Sequence, residues 1–280
     1  MPDGVGAISS LNAYYGQDVP LGAYKGEFGK DRWGRWVYGP YVRNLVTRLP
    51  GVVLDSSQVP EAVQVYLSVL AAADDASVTI AAVGFATNLA ALLRSAEGRA
   101  LVEKKVARVV WQGGWYEPLH PDGHTTFNWD CGKNSGYATN GCEGAASYAV
   151  ANMPDSVEQV FSDLGDDVWH GAALSTACSD AHNPCRQAYV DMLGYGGARP
   201  SWDPLVVLFA VRGCTAGLRC HNADQGFSNR VDEDGSNHWS ASNGTAPSSR
   251  QSRLAWDGER PWREAREAAG REIDALLCPD

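Results

Sequence analysis

Positive charge is what this sequence has least of in any organised form. Its 23 lysines and arginines face 33 aspartates and glutamates, which leaves a net charge of −10 with no basic run. Phosphate backbones are gripped by clustered Lys and Arg, so the composition argues against a nucleic-acid partner. A membrane span is lacking too. The longest apolar stretch, Val78 to Leu93, is interrupted by Thr79, Gly84, Thr87 and Asn88, short of the ~18–20 apolar residues a bilayer demands. No secretory signal is visible, because Met1-Pro2-Asp3-Gly4 opens on an acid and no apolar core follows. The common catalytic signatures are missing as well: no GxGxxG after a strand, no Walker lysine loop, no GxSxG elbow and no HExxH.

What is present suits a globular chain. Of 280 residues, 44% are hydrophobic and 20% charged, which excludes a disordered chain or a coiled coil. Seven cysteines fall mostly into close pairs, Cys131/Cys142, Cys178/Cys185 and Cys214/Cys220, with Cys278 left alone. Short-range pairs in loop-like sequence read as disulfides of an exported protein, and equally as reduced thiols. The sequon Asn243-Gly244-Thr245 adds to the case for export. Cys178, His182 and Cys185 bring only three soft ligands together, so a disulfide-closed loop is the better reading there than zinc.

Periodicity alternates between helix and strand. Gly6 to Tyr15 is spaced for one helix face and is capped by Gly16. Gln17 to Tyr24 reads as a short buried strand, and Lys25 to Tyr41 as a Gly- and aromatic-rich loop. Pro60 to Ala73 is an amphipathic helix, Ser77 to Val83 a strand, Asn88 to Ser95 a helix, and Val106 to Gln112 a continuous apolar strand ending in Gly113-Gly114. Gly141 to Asn152 is a helix, Pro204 to Val211 an apolar helix or strand, and Ser240 to Ser252 an exposed loop. Buried strands between helices predict an α/β fold with a mostly parallel central sheet flanked by helices. Residues 1–280 read as one domain, with a loop-rich part over 212–260 and a C-terminal helix over 261–277. Parallel sheets bind ligands beyond the carboxyl ends of their strands. Two carboxylate pairs, Asp74-Asp75 and Asp166-Asp167, lie where solvated turns are expected instead.

Three segments follow predicted strands: Val83-Gly84-Phe85-Ala86-Thr87-Asn88-Leu89, Thr126-Phe127-Asn128-Trp129-Asp130 and Pro200-Ser201-Trp202-Asp203-Pro204. In this order they resemble the nucleoside hydrolase family, the inosine–uridine-type N-ribohydrolases. VTIAAVGFATNLAALL is similar to that family's strand–turn–helix, VARVVWQGG to its apolar strand with a double glycine, and FNWD to its Glu-Phe-Asn segment. SWDPLVVLFAV resembles its His-Asp segment and LNAYYGQDVPLGAYKG an early helix and strand, while DGSNHW is similar to a late feature of some bacterial members. The likeness runs from about Gly4 to Ala210.

The resemblance implies an α/β fold and a Ca²⁺ ion that binds the ribose hydroxyls and the attacking water. It places Asp203 and the backbone carbonyl of Thr87 on the metal. Asn128 would hydrogen-bond a ribose hydroxyl, and Trp202, where many relatives have a histidine, would stack on the base or pack. The family's first strand, Asp-x-Asp-x-x-x-Asp-Asp, carries most calcium carboxylates and the general base. That motif is missing here, so no catalytic residue is assigned, and Thr126 stands where relatives have a sugar-contacting glutamate. The expectation is Ca²⁺-dependent hydrolysis of the N-glycosidic bond of ribonucleosides, impaired in this chain, by a protein able to form a homo-oligomer. The alternative is a non-catalytic exported nucleoside- or sugar-binding protein on the same scaffold.

Overall fold

The computed structural model describes residues 3–26, 41–49, 51–116, 125–133, 142–215, 220–223, 227–241, 250–257 and 262–279. The chain opens with α1 (Asp3–Tyr14) and α2 (Tyr41–Arg48), then α3 (Ala62–Ala72), β1 (Val78–Ala82), α4 (Thr87–Arg94), α5 (Ala96–Lys105) and β2 (Val106–Gln112). There follow α6 (Ala145–Ala151), β3 (Glu158–Ser162), β4 (Trp169–His170), α7 (Ala172–Thr176), α8 (Pro184–Leu193), β5 (Arg199–Pro200) and α9 (Trp202–Arg212). The last elements are β6 (Cys220–Ala223), β7 (Phe227–Val231), β8 (Asn237–Ala241), β9 (Gln251–Trp256) and α10 (Trp262–Leu277).

The central sheet runs β1-β2-β3-β9-β6, with β1, β2, β3 and β9 parallel and β6 antiparallel to β9. Helices cover both faces, because the connections between parallel strands cross over the sheet and its strands carry apolar side chains on both sides. On one face Leu70, Leu89, Leu92, Val102, Ala149 and Val150 pack over Ile80, Val109 and Trp111. On the other, Leu205, Val206 and Phe209 of α9 with Ala269 and Ile273 of α10 pack over Val110, Val160 and Leu254. Each fully buried large side chain of this kind contributes roughly 1.5–3 kcal/mol relative to exposure. The α/β fold with a mostly parallel, helix-flanked sheet is therefore as expected. β1 forms one end of the sheet among the described residues.

Several expectations need correction. Gln17 to Tyr24 is not a strand: one isolated bridge, Ala23 to Glu61, is all it forms, and Val19 remains exposed. The segment 212–260 carries four strands, and one of them, β9, joins the parallel sheet. Ser240 and Ser252 are accordingly in strands β8 and β9, while the sequon Asn243-Gly244-Thr245 and most of the 25–41 loop lie outside the described residues. Cys131–Cys142 and Cys214–Cys220 are disulfides, but Cys178 bonds Cys278 across 100 residues and Cys185 is free. The C-terminal helix brings that about: the carbonyl of Leu277 accepts from Asn183 Nδ2 at 2.8 Å and from the Tyr15 hydroxyl at 2.6 Å, which delivers Cys278 to Cys178.

Candidate functional site at the carboxyl edge of the sheet

The parallel strands point their carboxyl ends at one edge, and the loops leaving β1, β2 and β3 are built there. After β2 the chain must turn through Gly113 and Gly114, with φ of 144° and 92°. A Cβ on Gly113 would stand 2.7 Å from the Trp129 ring, and one on Gly114 2.9 Å from Asn229 Nδ2 and Phe161 Cβ. The double glycine is thus required both by dihedral and by space. Gly113 N–H donates to the Ser162 carbonyl at 2.8 Å, and Tyr116 N–H to Asp163 Oδ2 at 3.2 Å, so the exits of β2 and β3 are tied together.

Onto this turn folds the loop carrying Asn128. Trp129 is 2% exposed and packs edge-on against Trp111 and Phe161, with centroids 6.4 and 5.9 Å away. Asp130 closes the loop on itself, accepting from Thr125 Oγ1 at 2.6 Å and Gly132 N–H at 2.7 Å. The Cys131–Cys142 disulfide anchors it to the segment before α6. Between these anchors Asn128 donates through Nδ2 to Gln112 Oε1 at 2.7 Å and to the Val83 carbonyl at 3.3 Å. Asn128 therefore sits across the ends of β2 and β1. Four residues beyond Val83, buried Thr87 begins α4, whose preceding residue Ala86 supplies no side-chain cap.

Asp203 reaches the same edge from the other face. Arg108, near the start of β2, holds its guanidinium 5.7 Å from the centre of the Phe209 ring, while Ser201 N–H, just before α9, donates to the Gly165 carbonyl beyond the end of β3, so α9 runs against the strand direction. Its first turn then lies at the carboxyl ends. Asp203 keeps solvent access, yet the protein around it desolvates the carboxyl and pushes its pKa up to about 6, with Arg199 pulling the other way. An acid with a perturbed pKa at the carboxyl edge of a parallel sheet is a functional-site candidate. Trp202 is engaged: its indole N–H donates to Asp166 Oδ1 at 2.5 Å, and the Arg199 guanidinium lies 5.8 Å from its ring centre. Asp166 and Asp167 are exposed, as expected, the latter 2.6 Å from Arg266.

All four residues singled out by sequence stand at one edge, but no hydrogen bond among the described residues joins Asp203 to Asn128 or Thr87. Sequence reasoning misses Gln112, whose one signal is a polar side chain closing a mostly apolar run just before the double glycine. Calcium takes ~6–8 oxygen ligands. Among the described residues no group of three or more His, Cys, Asp or Glu side chains comes together to hold a metal. A cavity of about 270 Å³ lies at the other end of the sheet, lined by Val150, Met153, Gln159, Asn229, Arg230 and Arg250. No helix among the described residues is long and apolar enough to cross a membrane.

No family model matches the sequence, and no curated protein matches it. Seventeen chains of solved structures match in fold. One is a purine-preferring ribonucleoside hydrolase from Gardnerella vaginalis, similar over 97% of this chain and 86% of that chain, with a TM-score of 0.56 and 15% sequence identity. At that identity the likeness is one of fold: this chain has a nucleoside hydrolase-like α/β architecture.

Proposed function

We propose that the carboxyl edge of the sheet takes a ribonucleoside and that the chain hydrolyses its N-glycosidic bond slowly. The observation that carries this reading is the gathering of Thr87, Asn128 and Asp203 at that edge, in a fold similar to a ribonucleoside hydrolase. The chemistry of the side chains agrees. Both Nδ2 hydrogens of Asn128 are engaged by Gln112 and Val83, which orients its Oδ1 as a fixed acceptor for a sugar hydroxyl. The Asp203 carboxylate accepts a second hydroxyl, and Trp202 offers an aromatic surface beside it for a base. Cleavage needs a water to attack C1′ and a group to take its proton. Asp203 is the one acid assigned here, which is why turnover is expected to be slow. Calcium has no role in this reading, since Asp203 and the Thr87 carbonyl fall far short of its oxygen complement.

A second reading, a non-catalytic exported nucleoside or sugar binder, is favoured by the three disulfides. One experiment separates the two. Inosine and uridine are titrated by tryptophan fluorescence, and free ribose is measured, each with Ca²⁺ and with EDTA. Ribose release establishes the hydrolase; saturable binding without release establishes the binder; neither sinks both. A requirement for Ca²⁺ in either assay overturns the metal-free account of the site.

A further inference from the structure

Behind the first turn of α9 lies a buried polar chain built from β4, α8 and the residue before α9. His170 on β4 is 2% exposed, and Ser201, immediately before α9, is fully buried. His170 Nδ1 lies 2.5 Å from Ser201 Oγ, and its Nε2 meets the hydroxyl of Tyr189 on α8. A neutral imidazole has one donor and one acceptor, and the two hydroxyls take one each. Burial holds this ring neutral, pushing its pKa down to about 4, with the nearby Arg199 charge acting the same way.

Ser201 is free to join because its hydroxyl does not cap the helix. A serine at a helix N-cap accepts from the second or third helical N–H. Here the third residue is Pro204, which has none, and Ser201 makes no capping bond with its side chain. Two glycines make room for the arrangement. A Cβ on Gly171 would collide with the Tyr189 ring, and one on Gly165 would stand 2.7 Å from Trp202 N and Cα. Ser201 N–H also donates to the Gly165 carbonyl at 3.1 Å.

We propose that His170 is a positioning residue: clamped between Tyr189 and Ser201, it sets the first turn of α9 and thereby places Trp202 and Asp203 at the carboxyl edge. The proposal rests on the nucleoside-site reading above. It is tested with Tyr189→Phe and Ser201→Ala, each removing one hydroxyl and little volume. Inosine affinity should fall roughly three- to ten-fold in each, the worth of one such hydrogen bond. The Trp202 indole N–H resonance, assigned by its loss in Trp202→Phe, should shift while melting stays cooperative. Folded variants with unchanged affinity and an unmoved indole signal overturn the proposal. If the wild type binds no inosine, the nucleoside reading fails, and the indole resonance alone decides the positioning role. If neither variant folds, the wild-type imidazole ¹⁵N spectrum decides. One neutral tautomer constant from pH 5 to 8 upholds the clamp, and titration near pH 6.5 refutes it.

Discussion

Asn128 bridges two strand ends, with its amide nitrogen 2.7 Å from Gln112 Oε1 and 3.3 Å from the Val83 carbonyl. The loop that carries the proposed sugar contact is thus held by the same hydrogen bonds that close the carboxyl edge over β1 and β2. Replacing Asn128 with Leu removes both donors and leaves two half-buried acceptors facing apolar surface. The loss expected is about 1–2 kcal/mol, read as a lower urea midpoint at unchanged slope. Nucleoside binding should fall with it.

Asp203 is expected to trade stability for its place at the edge. Its folded-state pKa is raised from 3.8 to about 6, so the protonated form is the one folding favours. That benefit is present at low pH and is lost as pH rises through about 6. Asp203→Asn should therefore melt higher than the wild type at pH 7.5 and at nearly the same temperature below pH 4, while losing nucleoside affinity. Thermal melts at the two pH values check the sign; a variant that melts lower at pH 7.5 contradicts it.

His170 titrates in the opposite sense. Tyr189, Ser201 and the Arg199 strand face its ring, and its folded pKa of about 4 lies below the ordinary 6.5. The unfolded chain then binds the extra proton first, so stability falls as pH drops from about 6.5 toward 4. The full effect is about 3 kcal/mol. Asp203 partly masks it, so the clean measurement is urea unfolding at pH 4.5, 5.5 and 7 in the Asp203→Asn background. A flat profile there would show that the imidazole is not held neutral.

The disulfides differ in what they constrain. Cys178–Cys278 closes a loop of 100 residues, against 11 for Cys131–Cys142 and 6 for Cys214–Cys220. In the chain-entropy account the longest loop stabilises most, by roughly 4–5 kcal/mol. Cys178→Ser with Cys278→Ser should cost more than either other pair. Burial raises the Cys185 thiol pKa, so this cysteine should react with a thiol reagent only on unfolding. Mapping of non-reduced peptides checks the pairing directly.

Much of the scaffold is legible without coordinates. Val106 to Gln112 appears as a strand with the bounds read from its residues, because a short valine-rich run followed by two glycines has few other ways to be buried. The helices ending at Tyr14, Ala72, Arg94 and Leu277 follow from periodicity and caps in the same way. β3, however, escapes. Glu158-Gln159-Val160-Phe161-Ser162 is short and half polar, and it becomes a strand through pairing on both sides, with β2 and β9.

By itself the sequence determined the alternation of strand and helix, and so the side of the sheet on which Thr87, Asn128 and Asp203 emerge. Only the tertiary structure decided their partners: Gln112 and Val83 for Asn128, Asp166 for Trp202, Cys278 for Cys178, and the His170–Ser201–Tyr189 chain behind Asp203. The reason is range. Periodicity reports which face of an element is buried, a local property, whereas these contacts join groups from 16 to 100 positions apart and exist only once the chain has folded.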